Sequence, residues 1–458
     1  MQVTEVTNEG LNRAYKVVVP ADEIDKRVTE RLSKLAKEVK VPGFRPGKAP
    51  LSLMKRQYGK SVLGEILEKA VDDGSRQAIN DNNIKPALQP KIEVTSFDEG
   101  KDLEFSMAVE VLPEVPEVDV SAIALTRQTA PVGDDAVQDA IDRLVKSRQE
   151  FGDADDDRVA EDGDRVTLDF LGKIDGEPFD GGKAEDFPLV IGSKSMIPGF
   201  EEQVAGLKKG DEKTIDVTFP ENYQAENLAG KGATFDLTIK SVEPPEAVTV
   251  DDAFAQEFNV DSLEELKNRI RESLTKDYAN MGRAKLKRAL LDHLAETVHF
   301  GVPEGMVEIE FNAIWKQLED EMQRNGQTFD DAPKNEEETR AEYRAIAERR
   351  VRLGLVLSDI GSKNEVTVEQ EELQNALMDQ ARRFPGQEKE VFEYYQKTPG
   401  ALEQLRAPIF EDKVVDHIFD NAAITDEEVS LEELVRDPDD EADDAAKAGD
   451  EDKSEQAS

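Results

Sequence analysis

Between positions 170 and 235 the chain sets Phe170, Phe179, Asp180, Phe187, Met196, Ile197, Phe200, Tyr223 and Phe235 among short strand-like segments. The set is apolar and aromatic, with one carboxylate. The sequence has no cysteine, and its three histidines, His293, His299 and His417, lie elsewhere, in stretches that read as helical. Thiol nucleophiles, zinc-thiolate sites and histidine triads are therefore excluded, and neither a metal nor a cofactor is expected. Two readings remain for the rings: noncovalent binding of an apolar group, or the interior that any small β domain needs. A second set occupies "VKVPGFRPGKAPLSLM", residues 39 to 54, where Gly43, Phe44, Arg45, Gly47 and Lys48 are interleaved with Pro42, Pro46 and Pro50. Glycine and proline hold such a loop in a fixed turn, so little entropy is lost when its side chains are used. Phe44 can insert, and Arg45 can fork onto carboxylate or phosphate. Taken alone, the segment is also an ordinary turn between two helices.

The elements that must carry these residues follow from periodicity. In "LNRAYKVVVP" Leu11, Arg13, Tyr15, Val17 and Val19 share one strand face. Ile24, Val28, Leu32, Leu35 and Val39 then recur at helical spacing, and the helix stops at Pro42. After the loop come two helices broken near Gly59, then strands in "PKIEVTSFDEG" and "KDLEFSMAVEVLPEV". This order gives an α+β domain over 1–112, followed by a linker with a helix over 113–153. Residues 154–245 show alternating strands, Gly, Pro and Asp turns and one short helix in "PGFEEQVAGL", the pattern of a small antiparallel sheet. Beyond Thr249 strand signals vanish, and helices are expected at 261–299, 303–325, 334–361, 367–383 and 399–421, making 246–432 all-α.

With 58 basic and 101 acidic side chains the formal net charge is −43. Residues 426–458 carry 15 of the acids against 3 bases, and 433–458 read as a disordered, self-repelling acidic tail. Such acidity argues against general nucleic-acid binding, so any contact with RNA must be local. No run of eighteen apolar residues exists, which excludes a helical membrane span, and no export signal is visible, so a cytoplasmic protein is expected.

"DFLGKIDGEPFD", "FPLVIG", "MIPGFEEQVAGLKKGDEKTI" and "FPENYQAENLAGKGATFDLTIKSVE" resemble the successive signatures of the FKBP-type prolyl isomerases. The resemblance puts Phe170 in the family's Tyr-x-Gly slot, Phe179 and Asp180 on its Phe-Asp pair and Phe187 on a pocket Phe. Met196 and Ile197 fall on its Val-Ile, Phe200 on the Trp of the pocket floor, and Phe235 on the last-strand Phe. Tyr223 lies in a loop that departs from the family pattern. Phe at 170 and 200, where the family carries Tyr and Trp, removes two polar handles. The implied activity is rotation about X-Pro bonds, whose barrier is ~18–20 kcal/mol. An aromatic bowl favours the twisted, less polar amide by differential binding, while the Ile197 N–H receives the substrate carbonyl and Asp180 orients or polarises the amide.

With "GFRPGKAP" in front and a long helical segment behind, residues 1 to ~430 are similar to the bacterial trigger-factor family of ribosome-associated chaperones. That resemblance implies that the loop docks on the large ribosomal subunit beside the peptide exit tunnel, through Phe44 and Arg45 with Lys48 in support. It implies nascent and unfolded polypeptides as partners, no membrane, and room for a homodimer off the ribosome. Competing readings are a free cytosolic FKBP-type isomerase and holdase, and an acidic binding module that uses the isomerase fold without catalysis. The loop separates the first reading from the others.

Overall fold

The computed structural model describes residues 1–436, apart from 40, 43, 45–47, 99, 154, 156, 221, 222, 224, 226, 227, 330–333 and 399. The chain divides into two compact units. One comprises Met1–Gln128 with Arg283–Glu427; the other comprises Thr129–Gly282 with the described residues from Glu428 on.

In the first unit β-branched and aromatic residues at alternate positions draw the front of the chain into a sheet. Strands β1 (Gln2–Glu9) and β2 (Asn12–Val19) precede helices α1 (Ala21–Glu38) and α2 (Leu51–Asp81), and β3 (Lys91–Ser96) and β4 (Leu103–Glu110) complete the order β1-β2-β4-β3, antiparallel throughout. Tyr15, Val17 and Val19 point inward with Phe105 and Met107, and pack on Ile24, Val28 and Leu32 of α1 and on Met54, Val62 and Ile66 of α2. Ala36, one residue beyond the expected Leu35, closes the buried stripe of α1. Two expectations change here. The segment before residue 10 is a strand, and α2 runs unbroken through Gly59. A glycine costs ~1 kcal/mol in a helix interior, which the packed face of α2 outweighs. Gly74 serves that packing directly, because a Cβ there would lie 2.9 Å from the Phe105 ring.

After β5 (Ala124–Thr129) the chain enters the second unit with α3 (Asp134–Ser147), which buries Val137 and Ile141. The middle sheet follows: β6 (Arg165–Ile174), β7 (Glu177–Val190), the short α4 (Phe200–Val204), β8 (Glu212–Thr218) and β9 (Gly232–Glu243), in the antiparallel order β7-β6-β9-β8. Val166, Leu168, Leu189, Ile215, Leu237 and Ile239 form its core under Phe200. Helix α5 (Asp252–Gln256) is capped by the Asp251 carboxylate, which accepts from Ala253 and Phe254. Helix α6 (Leu263–Thr297) begins in this unit and ends in the other.

The rest of the first unit is helical: α7 (Glu304–Arg324), α8 (Glu336–Lys363), α9 (Gln370–Arg382), α10 (Glu388–Lys397) and α11 (Ala401–Asn421). Helix α10 was not expected; Val391, Phe392 and Tyr395 are only partly covered and Tyr394 is exposed. His299 lies just past the end of α6, outside any helix. Beyond Thr249 strands do not vanish. β10 (Ala423–Glu428) pairs with β5, and Arg127 clasps Asp426 through two hydrogen bonds of 2.6 and 3.0 Å. Six residues with three carboxylates carry no strand signal by themselves; the pairing depends on a segment far away in sequence. Helix α12 (Leu431–Val435) buries Leu434 beside Tyr278 and Val429, so ordered chain continues past residue 433; 437–458 lie outside the described residues. Among the described residues no helix is long and apolar enough to cross a membrane.

Candidate active site

The rings singled out in the sequence meet over one face of the middle sheet. β6 supplies Phe170, β7 supplies Phe179 and Phe187, α4 supplies Phe200 and β9 supplies Phe235. Phe170, Phe200 and Phe235 form a closed triangle with centroid separations of 6.1, 5.9 and 5.4 Å, all edge-to-face. Phe187 adjoins Phe170 at 5.5 Å and Phe179 adjoins Phe235 at 6.0 Å. Edge-to-face contacts add about 0.5–1.5 kcal/mol each beyond the area they bury, so the rings hold one another's angles. Phe200 and Phe235 are buried, while Phe170, Phe179, Phe187, Met196 and Ile197 are half-buried, giving a fixed floor beneath partly open walls. Gly199, at φ +86°, makes the turn that drops Phe200 into this floor.

Two glycines let Phe179 lie flat on the sheet. A Cβ at Gly172 would stand 2.6 Å from Phe235 Cε1 and 2.7 Å from Phe179 Cε1, and one at Gly182 would stand 2.8 Å from Phe179 Cζ. Neither glycine was legible as a site residue, and neither was Phe219. It is buried, with its ring 5.9 Å from Phe179, and it continues the alternation Ile215, Val217, Phe219 that could have revealed it. Tyr223 stands outside the triangle, 37% exposed, with its ring tilted against Phe219 at a centroid distance of 4.8 Å. Asp180 is exposed and has no hydrogen-bond partner among the described residues.

Ionic groups keep to the opposite side of the strands. Asp169 and Asp236 alternate with Phe170 and Phe235; Lys240 bridges Asp169 at 2.7 Å and Asp186 at 2.6 Å, and Lys173 pairs with Asp236 at 2.6 Å. The Lys240 ammonium, aided by the Asp186 N–H, holds the Asp169 carboxyl below its ordinary range, and Lys173 with Thr214 does the same for Asp236. These ion pairs thus stay off the ring face.

The segment 191–199 brings Met196 and Ile197 to the rings. The Ile197 carbonyl accepts from Phe200 N at 3.1 Å, while its N–H has no partner among the described residues. A fixed donor beside apolar rings can hold a carbonyl whose neighbouring amide lies on the rings, which needs neither nucleophile nor metal.

The other candidate residues lie between α1 and α2. Phe44 is 42% exposed, a high value for phenylalanine, although its N–H reaches the carbonyl of buried Val41 at 3.1 Å. Lys48 is exposed; Gly43, Arg45 and Gly47 lie outside the described residues.

Three family models match the chain. The model for bacterial trigger factor protein matches residues 1–144, that for its C-terminus matches 262–420, and that for FKBP-type peptidyl-prolyl cis-trans isomerase matches 156–241. A trigger factor of Rhodospirillum centenum is 50% identical over 438 residues, covering 96% of this chain and 98% of the relative. One of Brucella anthropi is 48% identical over 449 residues, covering 96% and 94%. A solved structure described as "Promiscuous Substrate Recognition in Folding and Assembly Activities of the Trigger Factor Chaperone" aligns over 92% of this chain and 99% of its own, with TM-score 0.53 and 21% identity. The chain belongs to the trigger-factor family, and its ring-bearing sheet lies in an FKBP-type peptidyl-prolyl isomerase domain.

Proposed function

We propose that this protein holds unfolded polypeptides emerging from the large ribosomal subunit and rotates their X-Pro bonds on the ring face of the middle sheet. The observation that carries the catalytic half is the meeting of Phe170, Phe179, Phe187, Phe200 and Phe235 beside the unpartnered Ile197 N–H. Rotation about the amide needs no covalent step. The twisted transition state has lost resonance and polarity, so it is bound by rings and one N–H better than the planar ground state is. Phe200 and Phe235 form the floor, Phe170, Phe179 and Phe187 the walls, and Met196 lines the rim. Asp180, exposed at that rim, orients the incoming amide, and Tyr223 extends the aromatic surface outward through Phe219.

For docking, Phe44 is the exposed anchor, and Arg45 and Lys48, with Gly43 and Gly47 shaping the turn, supply local positive charge on an acidic chain. Holding of unfolded chains is assigned to the first unit. There a groove of about 870 Å3 is lined by Leu88, Leu112, Met306, Ile309 and Leu355, with Ile309 59% exposed.

Co-sedimentation with ribosomes tests docking. Phe44→Ala with Arg45→Ala should leave the fold intact and abolish binding; unchanged co-sedimentation sinks the assignment. Turnover of X-Pro peptides by Phe200→Leu tests the catalytic half. Wild-type rates in the folded variant would show that the ring cluster is not the site.

A further inference from the structure

Glu201 is the second residue of α4 and only 7% exposed, one of few charged side chains buried in the described chain. Its carboxylate faces back into the segment between β7 and α4. Oε2 accepts from Gly192 N at 2.9 Å and Lys194 N at 3.0 Å; Oε1 accepts from Ser195 N at 2.8 Å, Met196 N at 3.2 Å and Ser193 Oγ at 3.2 Å. No cation takes part. Burial pushes the Glu201 carboxyl up, but the N–H groups of Lys194, Met196 and Ser195 and the Ser193 hydroxyl together outweigh it and keep the group below its ordinary range.

The segment needs such a hub. Residues 192–195 are exposed and belong to no strand or helix, and Gly192 and Lys194 sit at φ +85° and +56°. Its other backbone ties lie mostly at its ends: Ile191 N to Asp164 O and Gly163 N to Ile191 O, both at 3.0 Å, Ser193 N to Val190 O at 3.2 Å, Phe200 N to Ile197 O at 3.1 Å and Gln203 Nε2 to Gly199 O at 2.9 Å, with Ser195 N to Ser193 Oγ at 3.3 Å between them. Four N–H groups of one short segment therefore converge on one side chain. The last of them, Met196 N–H, immediately precedes the Ile197 N–H.

We propose that Glu201 is a positioning residue for the isomerase reaction: by gathering the N–H groups of Gly192, Lys194, Ser195 and Met196 it fixes the direction in which the Ile197 N–H meets the substrate carbonyl. The inference rests on the reading of Ile197 as the donor. Because every hydrogen bond of the Glu201 carboxylate goes to the loop, it acts through the loop's geometry, and a misplacement of ~1 Å is enough to cost about 100-fold in rate. Glutamine at this position preserves volume but turns one acceptor oxygen into an NH2 group that faces the N–H donors.

Full-length Glu201→Gln should lose kcat/KM on X-Pro peptides by about 10- to 100-fold, mostly in kcat, since the rings that bind proline are untouched. Amide hydrogen exchange in the same protein should quicken at 192–196 and stay unchanged in β6 and β9. Loss of loop protection with kcat/KM within about twofold of wild type overturns the proposal. So does retained loop protection with reduced turnover, because the loss would then not run through the loop. If Glu201→Gln also opens β6 and β9, Glu201→Asp takes its place. It keeps the charge and shortens the reach by one methylene, so faster loop exchange with reduced kcat supports the proposal and full turnover overturns it. Failure of the ring-face reading is seen separately, as wild-type turnover by Phe200→Leu.

Discussion

Replacing Gly172 by alanine adds one methyl group where two rings already stand. The new Cβ would meet Phe235 Cε1 at 2.6 Å and Phe179 atoms at 2.7 and 2.8 Å, whereas carbon atoms rest at about 3.5–4.0 Å. Both rings must retreat by roughly 1 Å. Phe235 has no room to do so, because Phe170, Phe179 and Phe200 surround it at 5.9, 6.0 and 5.4 Å. Overpacking of this kind costs about 1–3 kcal/mol, against which alanine recovers at most ~0.5–1 kcal/mol of backbone entropy at this ordinary φ. The net loss of up to about 2.5 kcal/mol should accelerate opening of β6 and β9 by up to about 70-fold in hydrogen exchange of the full chain, and X-Pro turnover should fall with it. Gly64→Ala is the control. No atom lies within 4 Å of its added methyl, and in the interior of α2 it should stabilise by up to ~1 kcal/mol. Unchanged exchange in β6 and β9 with full turnover for Gly172→Ala would refute the close approach of strand and rings on which the site reading stands.

Phe200→Leu removes two ring contacts, about 1–3 kcal/mol of local stability, and should abolish isomerase activity while suppression of aggregation persists, since the groove lined by Met306 and Ile309 belongs to the other unit; loss of both activities would overturn that separation. The depressed Glu201 carboxyl has a signed pH consequence: its stabilising effect is fully present above the ordinary glutamate value and is lost as pH falls through the lowered folded-state value. Exchange protection at 192–196 should follow that course in the wild type and be insensitive to pH over the same range in Glu201→Gln; identical profiles would contradict it. The single Trp315 is buried, donates to Glu319 at 2.7 Å and stacks on Phe329 at 5.3 Å, so Phe329→Ala should shift its emission to the red and raise acrylamide quenching; an unmoved spectrum would place Phe329 elsewhere.

The sequence was most legible where one periodic face served one partner. Tyr15, Val17 and Val19 on β2 and Ile24, Val28 and Leu32 on α1 were readable because each stripe packs locally. The ring set from Phe170 to Phe235 was readable through ordered motifs, although periodicity alone could not distinguish a binding surface from a core. What escaped depends on partners distant in sequence or on space. Gly172 and Gly182 matter for the atoms they lack. Glu201 beside Glu202 looks like an ordinary acidic start to a helix, and only the path of the preceding segment gives it four N–H groups. The helix through Gly59 shows the converse, a local breaker overruled by burial on the same face.

The pairing of β5 with β10 joins Arg127 to a residue 299 positions later. A chain made from its N-terminus at about 5–20 residues per second must therefore wait roughly 15–60 s before β5 can find its mate. All four strands of the middle sheet fall within residues 165–243 and can close long before then. During the interval Ile123 and Leu125, buried in the finished fold, stand without Val414, Val415 and Ile418. Synthesis thus delivers a completed isomerase domain between two halves of an unfinished one. Helix α11 and strand β10, which complete the first unit, appear only near the end of synthesis, and until they do this protein is itself a chain with exposed apolar surface.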